Sequence, residues 1–353
     1  MSLSIGIAGL PNVGKSTLFN ALTDAEALAA NYPFATIEPN TGIVPIPDER
    51  LAKLAEIYKT DKIVPATVTF VDIAGLVEGA SRGEGLGNQF LSHIRGCNAI
   101  CQVVRAFEDS EVTRSGSKDA AHDIEIINTE LALADIVTVN NRLPRLEKEL
   151  KSDPKLKPVY ETVAKAKELL EAGQNLRELD QEHLADLHLL SAKPVIYVFN
   201  VDEHTLADEP KKQRLKSLAK GDCIFICAKL ESELRGLDET DRTELLASYG
   251  QKQSGLVQLI HSAYDTLGLQ SYLTAGEKEV RAWTILKGST APQAAGVIHT
   301  DFQRGFIAAQ VVDYEDLITA GSEAAARAAG KVRTEGKDYI MRPNDVVEFR
   351  FNV

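Results

Sequence analysis

The sequence predicts an α/β protein with a mostly parallel sheet. Over the first 121 residues, short apolar strands alternate with amphipathic helices, which is the order expected when helices join parallel strands. Residues 9–16 have the pattern G-x-x-x-x-G-K-S between a predicted strand and a predicted helix, which is the setting of a phosphate-binding loop. The chain of 353 residues is long enough for two or three domains.

The elements of the first domain follow from short apolar runs. Strands are predicted at 5–8, 42–46, 67–71 and 100–104, and helices are predicted to begin near Lys15 and Asn88. Two further apolar runs, at 193–199 and 223–227, are typical of strands buried in a parallel sheet. We therefore expect one α/β domain in two parts, residues 1–122 and 182–267.

The segment between these two parts is predicted to be a helical insertion. A heptad-like seam, with spacings of three and four, runs through Ile136, Val139, Leu143, Leu146 and Leu150. The same spacing resumes after Pro154 and Pro158, so residues 123–181 are predicted to form a coiled-coil-like hairpin of two helices. Pro144 should kink the first helix, because proline removes a backbone donor.

Residues 268–353 have a different pattern of strand and helix candidates and are predicted to form a separate α+β domain. The strand candidates lie at 280–286, 296–299, 306–312 and 346–351, and an Ala-rich helix is predicted at 322–329. This part of the chain has 10 Lys and Arg residues against 11 Asp and Glu residues, a net charge of −1, whereas the whole chain has a net charge of −12. A broadly basic nucleic-acid binder is excluded, but a local contact is not.

Two regions are candidates for such a local contact with RNA. One is an edge of the C-terminal domain that carries Lys331, Arg333 and Lys337, with Trp283 on a nearby strand. The other is the helical hairpin, which is rich in Lys and Arg. The alternative is that these charges form solvated faces and that Trp283 belongs to the core.

The sequence predicts a cytoplasmic protein, which we expect to be a monomer. No apolar run reaches the length of about 18 residues that a membrane span requires, and the first residues lack the pattern of a signal peptide. Four cysteines without an export signal predict free, buried thiols in a reducing compartment. The pairs Cys97/Cys101 and Cys223/Cys227 permit a zinc site as an alternative, although their three-residue spacings are less typical of one.

The phosphate loop predicts the groups that hold a nucleotide and its metal ion. Lys15 should reach the β- and γ-phosphates, and Ser16 should bind Mg²⁺. Asp72 and Gly75, in a D-x-x-G motif after a strand, should support the metal and contact the γ-phosphate, and Thr36 is a candidate second metal ligand. The predicted nucleotide-binding residues of the loop are Asn12, Val13, Gly14, Lys15, Ser16 and Thr17.

The motifs resemble those of the YchF family of Obg-like ATPases, in the Obg-related branch of the P-loop GTPases. The resemblance is carried by GLPNVGKST at 9–17, NYPFATIEPN at 31–40, DIAGLV at 72–77, GEGLGN at 83–88, EIINTEL at 125–131 and APQAAG at 291–296. It implies a G domain, an inserted helical hairpin and a C-terminal TGS domain of β-grasp type. It also implies contact with the ribosome or ribosomal RNA.

Base selection rests on the segment after the strand at 195–199. Related GTPases have N-K-x-D there, whereas this chain has Asn200, Val201, Asp202 and Glu203, so the guanine clamp is altered. The resemblance implies a preference for ATP, with Asn200 and Glu203 lining the adenine pocket and Val201 packing on the ring. Ala228 lies in the last base-contacting motif. The alternative is that 200–203 forms only a polar turn.

The resemblance also implies slow hydrolysis. Leu76 occupies the place where Ras-like enzymes carry the glutamine that orients the attacking water. In related proteins an asparagine at the position of Asn12 helps bind K⁺ beside the phosphates, so K⁺ is a candidate cofactor together with Mg²⁺. Arg114 stands where the family often has a histidine, and His93 is a weaker candidate for proton transfer.

Three functions remain open from the sequence. The first is a Mg²⁺-dependent ATPase that changes shape with its nucleotide and acts on the ribosome. The second is a GTPase of the same architecture. The third is a nucleotide-gated adaptor on the ribosome or RNA, in which hydrolysis is incidental.

Overall fold

The computed structural model describes residues 3–23, 41–73, 86–108, 118–174, 176, 178–234 and 236–352. For residues 86–89 only the backbone is described. The chain divides into two compact units. One comprises Met1–Gly42 and Thr69–Ala263, and the other comprises Ile43–Val68 and Tyr264–Val353.

The described residues form twelve strands and fifteen α-helices. The strands are β1 (Ser4–Ala8), β2 (Thr41–Pro45), β3 (Ile63–Val64), β4 (Thr67–Asp72), β5 (Ala99–Ala106), β6 (Val195–Val201), β7 (Asp222–Ile226), β8 (Leu269–Ala275), β9 (Val280–Leu286), β10 (Phe306–Asp313), β11 (Arg333–Glu335) and β12 (Asp345–Phe351). The helices are α1 (Lys15–Thr23), α2 (Glu49–Tyr58), α3 (Leu86–Gly96), α4 (Ala120–Ser152), α5 (Lys157–Glu171), α6 (Gln181–Leu184), α7 (Glu203–Ala207), α8 (Glu209–Lys216), α9 (Ala228–Glu233), α10 (Glu239–Ser248), α11 (Gly255–Thr266), α12 (Ala291–Ile298), α13 (Thr300–Arg304), α14 (Tyr314–Ala320) and α15 (Glu323–Ala328).

The first sheet has the strand order β2-β4-β1-β5-β6-β7. β1 pairs in parallel with β4 and β5, and the parallel pairing continues through β6 to β7. β5 is buried along nearly its whole length, as expected of a central strand in a parallel sheet. Because parallel strands end at one edge, the residues that follow β1, β4, β6 and β7 lie along the same edge of the sheet.

The predicted helical insertion is present. α4 runs for 33 residues and continues through Pro144, and α5 follows after a short 3₁₀ helix, Pro154–Leu156. The seam residues Val139 and Leu146 are fully buried, and they belong to one apolar cluster with residues of α5 such as Ala166. The hairpin therefore has its own core. The kink expected at Pro144 stays a prediction.

The first half of α4 belongs to a different core from the second half. Ala120 and Ile124 lie in an apolar cluster with Val104 of β5 and Phe199 of β6. One helix therefore contributes both to the core under the sheet and to the core of the hairpin.

A buried carboxylate fixes α4 between these two cores. Asp135 is fully buried and accepts hydrogen bonds from the backbone N–H of Leu190 at 2.9 Å, from that of Ser191 at 2.8 Å and from the Ser191 hydroxyl at 2.6 Å. Burial raises the pKa of Asp135, and these donors and the charge of Arg95 oppose that rise. The three donors supply the polar contacts that a buried carboxylate needs.

The second unit is built on a mixed sheet with the order β11-β10-β12-β8-β9-β3. β8 and β9 form an antiparallel pair, β10 pairs antiparallel with β11 and β12, and β12 and β8 run parallel. α12 packs on this sheet, and the hydroxyl of the fully buried Tyr272 donates a hydrogen bond to the Ala294 carbonyl at 3.0 Å. The predicted α+β character is confirmed.

One predicted strand of this unit is wrong. Residues 296–299 were expected to be extended, but they lie at the end of α12 and in its C-terminal cap. Thr290 and Gln293 form a capping box, and Pro292 stands in the first turn, so the local chemistry begins a helix at Ala291. The strand β8 was not predicted from the sequence.

The second unit includes a segment that the sequence analysis placed in the α/β domain. Residues Ile43–Val68 contain α2 and β3, and β3 pairs in parallel with β9. The Arg50 guanidinium donates to the Pro343 carbonyl at 2.6 Å and to the Asn344 side chain at 3.1 Å. The unit is therefore assembled from two stretches that are distant in sequence.

All four cysteines are free, but they are not equally buried. Cys97, Cys101 and Cys227 are buried, whereas Cys223 is half-buried, which corrects the expectation of four buried thiols. Within the described ranges, no group of three or more His, Cys, Asp and Glu residues could hold a metal ion. None of the helices in those ranges has the length and apolar character of a membrane span.

Candidate functional site

The loop between β1 and α1 has the backbone form that a phosphate-binding loop requires. Asn12 and Gly14 have positive φ angles of 62° and 99°. A Cβ atom on Gly9 would lie 2.7 Å from the Val103 carbonyl oxygen, and one on Gly14 would lie 2.5 Å from the Asn200 amide nitrogen. Both glycines are therefore required by close contacts, and at Gly14 the backbone conformation requires one as well.

Lys15, at the start of α1, is held inside this loop. Its side chain is only 8% exposed, and its Nζ donates a hydrogen bond to the Leu10 carbonyl at 2.7 Å. Burial lowers the pKa of Lys15 to about 8, and the negative charge of Asp72 opposes the shift. An anionic ligand would supply the counter-charge that this desolvated ammonium lacks.

Ser16 and Asp72 lie together beside Lys15. The Ser16 hydroxyl lies close enough to the Asp72 carboxylate, at the end of β4, to favour its charged form. Partial burial raises the pKa of Asp72, while Lys15 and Ser16 oppose that rise. Hydroxyl and carboxylate oxygens are the ligands that Mg²⁺ prefers, so the residues present fit this ion.

Asn200 joins β6 to the phosphate loop. Its side chain is 8% exposed, and its Nδ2 donates a hydrogen bond to the Val13 carbonyl at 3.0 Å. Asn200 and Val13 are 187 residues apart in sequence, so the contact depends on β1 and β6 lying on either side of β5. Asn200 thus fixes the loop that was predicted to hold the phosphates.

Val201 does not lie where the sequence analysis expected it. It is 2% exposed and belongs to the apolar cluster of Phe199 and Leu206, so it offers no face to a base. Successive residues of a strand point to opposite faces, and Asn200 already points to the loop. The predicted packing of Val201 on the base is corrected accordingly.

Two acidic residues, Asp202 and Glu203, follow β6. Asp202 caps α7 and accepts hydrogen bonds from the Thr205 N–H at 2.8 Å and the Thr205 hydroxyl at 2.7 Å. The Glu203 carboxylate is 26% exposed and lies 2.7 Å from the Lys229 ammonium. This ion pair with Lys229, which follows Ala228, was not predicted from the sequence.

Several predicted residues of the nucleotide site line one small cavity at the edge of the sheet. Gly14, Thr17, Asn200 and Ala228 all border it. Thr17 lies in the first turn of α1, and Ala228 begins α9 directly after β7. The structure therefore brings together residues from three separate motifs, as the parallel sheet predicts.

Four predicted residues lie outside the described residues. They are Thr36, Gly75, Leu76 and Arg114. His93 is described and is exposed on α3, where its carbonyl oxygen accepts a hydrogen bond from the Cys97 thiol at 3.4 Å. Its role in proton transfer stays a prediction.

The two predicted RNA-binding regions differ in how far their charges are neutralised. At the C-terminal edge, Lys331 lies 3.0 Å from Asp316, and Arg333 lies within 4 Å of Glu335 and Asp345. Trp283 is half-buried, with the Arg281 guanidinium 4.0 Å from the centre of its ring.

The turn of the hairpin is the more basic of the two regions. Residues 142–157 contain six Lys and Arg residues against three Asp and Glu residues. Lys148, Lys151 and Lys155 are exposed there, and they make no ion pair with any residue in the described part of the chain. We call the segment 142–157 the hairpin tip.

Two family models match this chain. Residues 269–352 match the model described as YchF-GTPase_C, a protein of unknown function (DUF933), and residues 4–142 match MMR_HSR1, described as a 50S ribosome-binding GTPase. The second match contains the phosphate loop and Asp72.

The chain is similar over its whole length to known proteins. The ribosome-binding ATPase YchF of Bacillus subtilis is 50% identical over 366 residues, and that of Escherichia coli O157:H7 is 50% identical over 363 residues; each alignment covers 100% of both chains. The solved structure of the Schizosaccharomyces pombe YchF GTPase has a TM-score of 0.87 and 40% identity, and the match covers 99% of this chain and 98% of that one.

Proposed function

This chain belongs to the YchF family, and on that premise we propose that it binds ATP, hydrolyses it slowly to ADP and phosphate, and acts on the ribosome. The observation that carries the proposal is the buried Lys15, held in the phosphate loop by the Leu10 carbonyl, with Ser16 and Asp72 beside it. A desolvated ammonium, a helix N-terminus and a metal-binding pair at one sheet edge are the parts of a site for a triphosphate and its metal ion.

Each of these groups has a distinct task in the proposed reaction. Lys15 leaves the Leu10 carbonyl to bind the β- and γ-phosphates, and the backbone N–H groups of the loop bind the remaining phosphate oxygens. Ser16 and Asp72 would hold Mg²⁺, directly or through water, and the bound ion would supply positive charge beside the phosphates. Asn200 keeps the loop in place through the Val13 carbonyl.

The direct test is nucleotide binding with a loop variant. We expect Lys15→Ala to weaken Mg·ATP binding at least 100-fold in calorimetric titration, because the buried counter-charge is lost. Lys53→Ala, which removes an exposed ammonium from α2, should leave the affinity unchanged. ATP binding by Lys15→Ala at the wild-type affinity would refute the proposed site.

The names of the relatives differ in the nucleotide, since some are called ATPases and one a GTPase, so the base needs its own test. Glu203 replaces the aspartate of the guanine clamp, and this change supports ATP. Wild-type protein should therefore bind ATP more tightly than GTP, and Glu203→Asp should reduce that preference. A wild-type preference for GTP would favour the GTPase alternative, which the name of the Schizosaccharomyces pombe relative suggests.

We also propose that K⁺ assists hydrolysis through Asn12. A residue with φ of 62° is held in the left-handed region, so Asn12→Gly removes the side chain without straining the backbone. Hydrolysis by the wild type should be faster in KCl than in NaCl at equal ionic strength, and the variant should lose this difference. Equal rates of the wild type in the two salts would contradict the role of K⁺.

For the ribosome, we propose that the hairpin tip contacts phosphate groups of RNA. Lys148, Lys151 and Lys155 are exposed and available, whereas Lys331 and Arg333 of the C-terminal edge already have acidic partners. Binding through a few phosphate contacts should weaken steeply as salt increases.

Co-sedimentation with ribosomes separates the two candidate surfaces. We expect the triple variant Lys148→Glu, Lys151→Glu and Lys155→Glu to lose at least tenfold in ribosome binding. The matching variant Lys331→Glu, Arg333→Glu and Lys337→Glu should lose less than threefold. The reverse order would assign the contact to the C-terminal edge. We further propose a cytoplasmic monomer, which sedimentation analysis would test.

A further inference from the structure

The ion pair between Glu203 and Lys229 lies where the base of the nucleotide is proposed to bind. Glu203 begins α7 directly after β6, and Lys229 lies in the first turn of α9 after the neighbouring strand β7. The Lys229 Nζ lies 2.7 Å from Glu203 Oε1 and 4.0 Å from Glu233 Oε1. The exposed Lys229 therefore lies close to two acidic residues, Glu203 and Glu233.

The two oxygens of the Glu203 carboxylate have different surroundings because of this ion pair. Oε1 is buried from solvent, and its contact of 2.7 Å with Lys229 Nζ is an ion pair without the angles of a hydrogen bond. The neighbouring carboxylate of Asp202 accepts hydrogen bonds from Thr205 and lies 3.6 Å from the Nζ of Lys211. Because the Glu203 side chain is 26% exposed while Oε1 is buried, Oε2 is the oxygen that we assign to a hydrogen bond with a base.

The two purine bases make different demands on a carboxylate. Guanine presents two neighbouring donors, N1–H and the 2-amino group, and a carboxylate binds them with both of its oxygens. Adenine presents one donor group, the 6-amino group, next to the acceptor N1. A carboxylate with one engaged oxygen suits a single donor and leaves one guanine donor without a partner, which costs affinity.

We propose that Lys229 is a specificity-determining residue that acts through Glu203, by occupying Oε1 so that the carboxylate suits adenine and disfavours guanine. The inference rests on the proposed ATP-binding function and concerns the same site. Lys229 is a positioning residue and needs no contact with the nucleotide. An ion pair in which the lysine is 71% exposed contributes little to stability, so its removal should leave the fold intact.

The test is calorimetric titration with non-hydrolysable analogues of ATP, GTP and ITP. Lys229→Ala should bind the GTP analogue about fivefold more tightly than the wild type does, relative to the ATP analogue, which is the scale of one hydrogen bond to a partly exposed carboxylate. Hypoxanthine, the base of ITP, has N1–H but no 2-amino group, so it presents a single donor to Glu203, and the affinity for the ITP analogue should change no more than that for the ATP analogue. Lys229→Arg keeps a cation beside Glu203 and should retain the wild-type preference.

A matched control is Lys165→Ala. Lys165 is an exposed lysine 2.8 Å from Glu168 on the hairpin, and its loss should change none of the three affinities. A Lys229→Ala variant with the wild-type ratio of ATP to GTP affinity would overturn the inference, as would an equal gain for all three analogues. If the wild type itself prefers GTP or binds neither nucleotide, the proposed function fails instead, so the two failures are distinguishable.

Discussion

At the scale of single residues, the site depends on contacts that leave no room for substitution. Gly14 combines a positive φ of 99° with an Asn200 amide nitrogen that would lie 2.5 Å from any Cβ atom. The same amide donates to the Val13 carbonyl, so the two residues are fitted to each other. A side chain at Gly14 must displace either the loop or Asn200.

We therefore expect Gly14→Ala to lower the free energy of unfolding by about 2–3 kcal/mol and to weaken nucleotide binding. Gly250→Ala is the matched control, because Gly250 has φ of 68° and open space around it. It should cost only about 1 kcal/mol, the price of the backbone conformation alone. Urea denaturation measures both, and equal losses would show that the contact with Asn200 does not matter.

The sequence predicts some of these residues better than others. Lys15, Ser16 and Asp72 stand in motifs whose spacing follows from phosphate and metal chemistry, and the structure brings them together. The contact of Asn200 with Val13 and the pair of Glu203 with Lys229 join residues that are far apart in sequence. The pair of Glu203 and Lys229 is indicated by the strand order. β6 and β7 are neighbours in the sheet, so an acid that follows β6 and a base that follows β7 lie close together.

At the scale of secondary-structure elements, local capping chemistry outweighs a short apolar pattern. Gly296, Val297, Ile298 and His299 were predicted to be extended, but four residues of apolar character do not distinguish a strand from a helix. The capping box of Thr290 and Gln293, with Pro292 in the first turn, determines the outcome. These three residues were visible in the sequence.

The hydrogen bonds that join Asp135 of α4 to Leu190 and Ser191 are a second feature at the scale of elements, and they lead to a prediction about stability. Asp135→Ala removes the acceptor of two buried or half-buried backbone N–H groups and of the Ser191 hydroxyl. We expect a loss of about 3 kcal/mol in the free energy of unfolding, because buried donors are left without partners. Thermal and urea denaturation would measure it.

The control for this variant is Asp238→Ala. Asp238 is an N-cap of α10 that accepts a hydrogen bond from the Asp241 N–H at 2.9 Å. Its loss should cost about 1 kcal/mol, as for other helix caps. If Asp135→Ala cost no more than Asp238→Ala, the carboxylate would be one more local cap and not the anchor of the hairpin.

At the scale of the whole molecule, the division into units does not follow the chain. The family model that matches residues 269–352 omits α2 and β3, although both pack in the C-terminal unit. Sequence reasoning misses this because β3 has two residues and pairs with a strand more than 200 residues later. No local pattern encodes such a contact.

The consequence is that residues 264–353 should not fold stably alone. Without residues 43–68, β9 loses the pairing of Val280 and Arg281 with β3, and the apolar face of α2 that includes Leu51 and Leu54 no longer covers the sheet. We expect the fragment 264–353 to unfold at a lower temperature than an equimolar mixture with a peptide of residues 43–68, measured by circular dichroism.

The control peptide carries Leu51→Asp and Leu54→Asp, which places charges on the buried face of α2. It should give no stabilisation. A fragment whose unfolding temperature is the same with and without the native peptide would mean that residues 264–353 fold independently.

The continuity of α4 has a mechanical consequence. A helix of 33 residues is about 50 Å long, at about 1.5 Å per residue. One end is embedded beside β5 and β6, and the other carries the lysines of the hairpin tip, so the helix is a lever with its fulcrum near Asp135. About 25 Å of it lies beyond that residue, so a tilt of about 5° at the fulcrum would displace the tip by about 2 Å. A small movement of β5 and β6 at the embedded end would thus be transmitted, at about the same size, to the surface proposed to meet the ribosome.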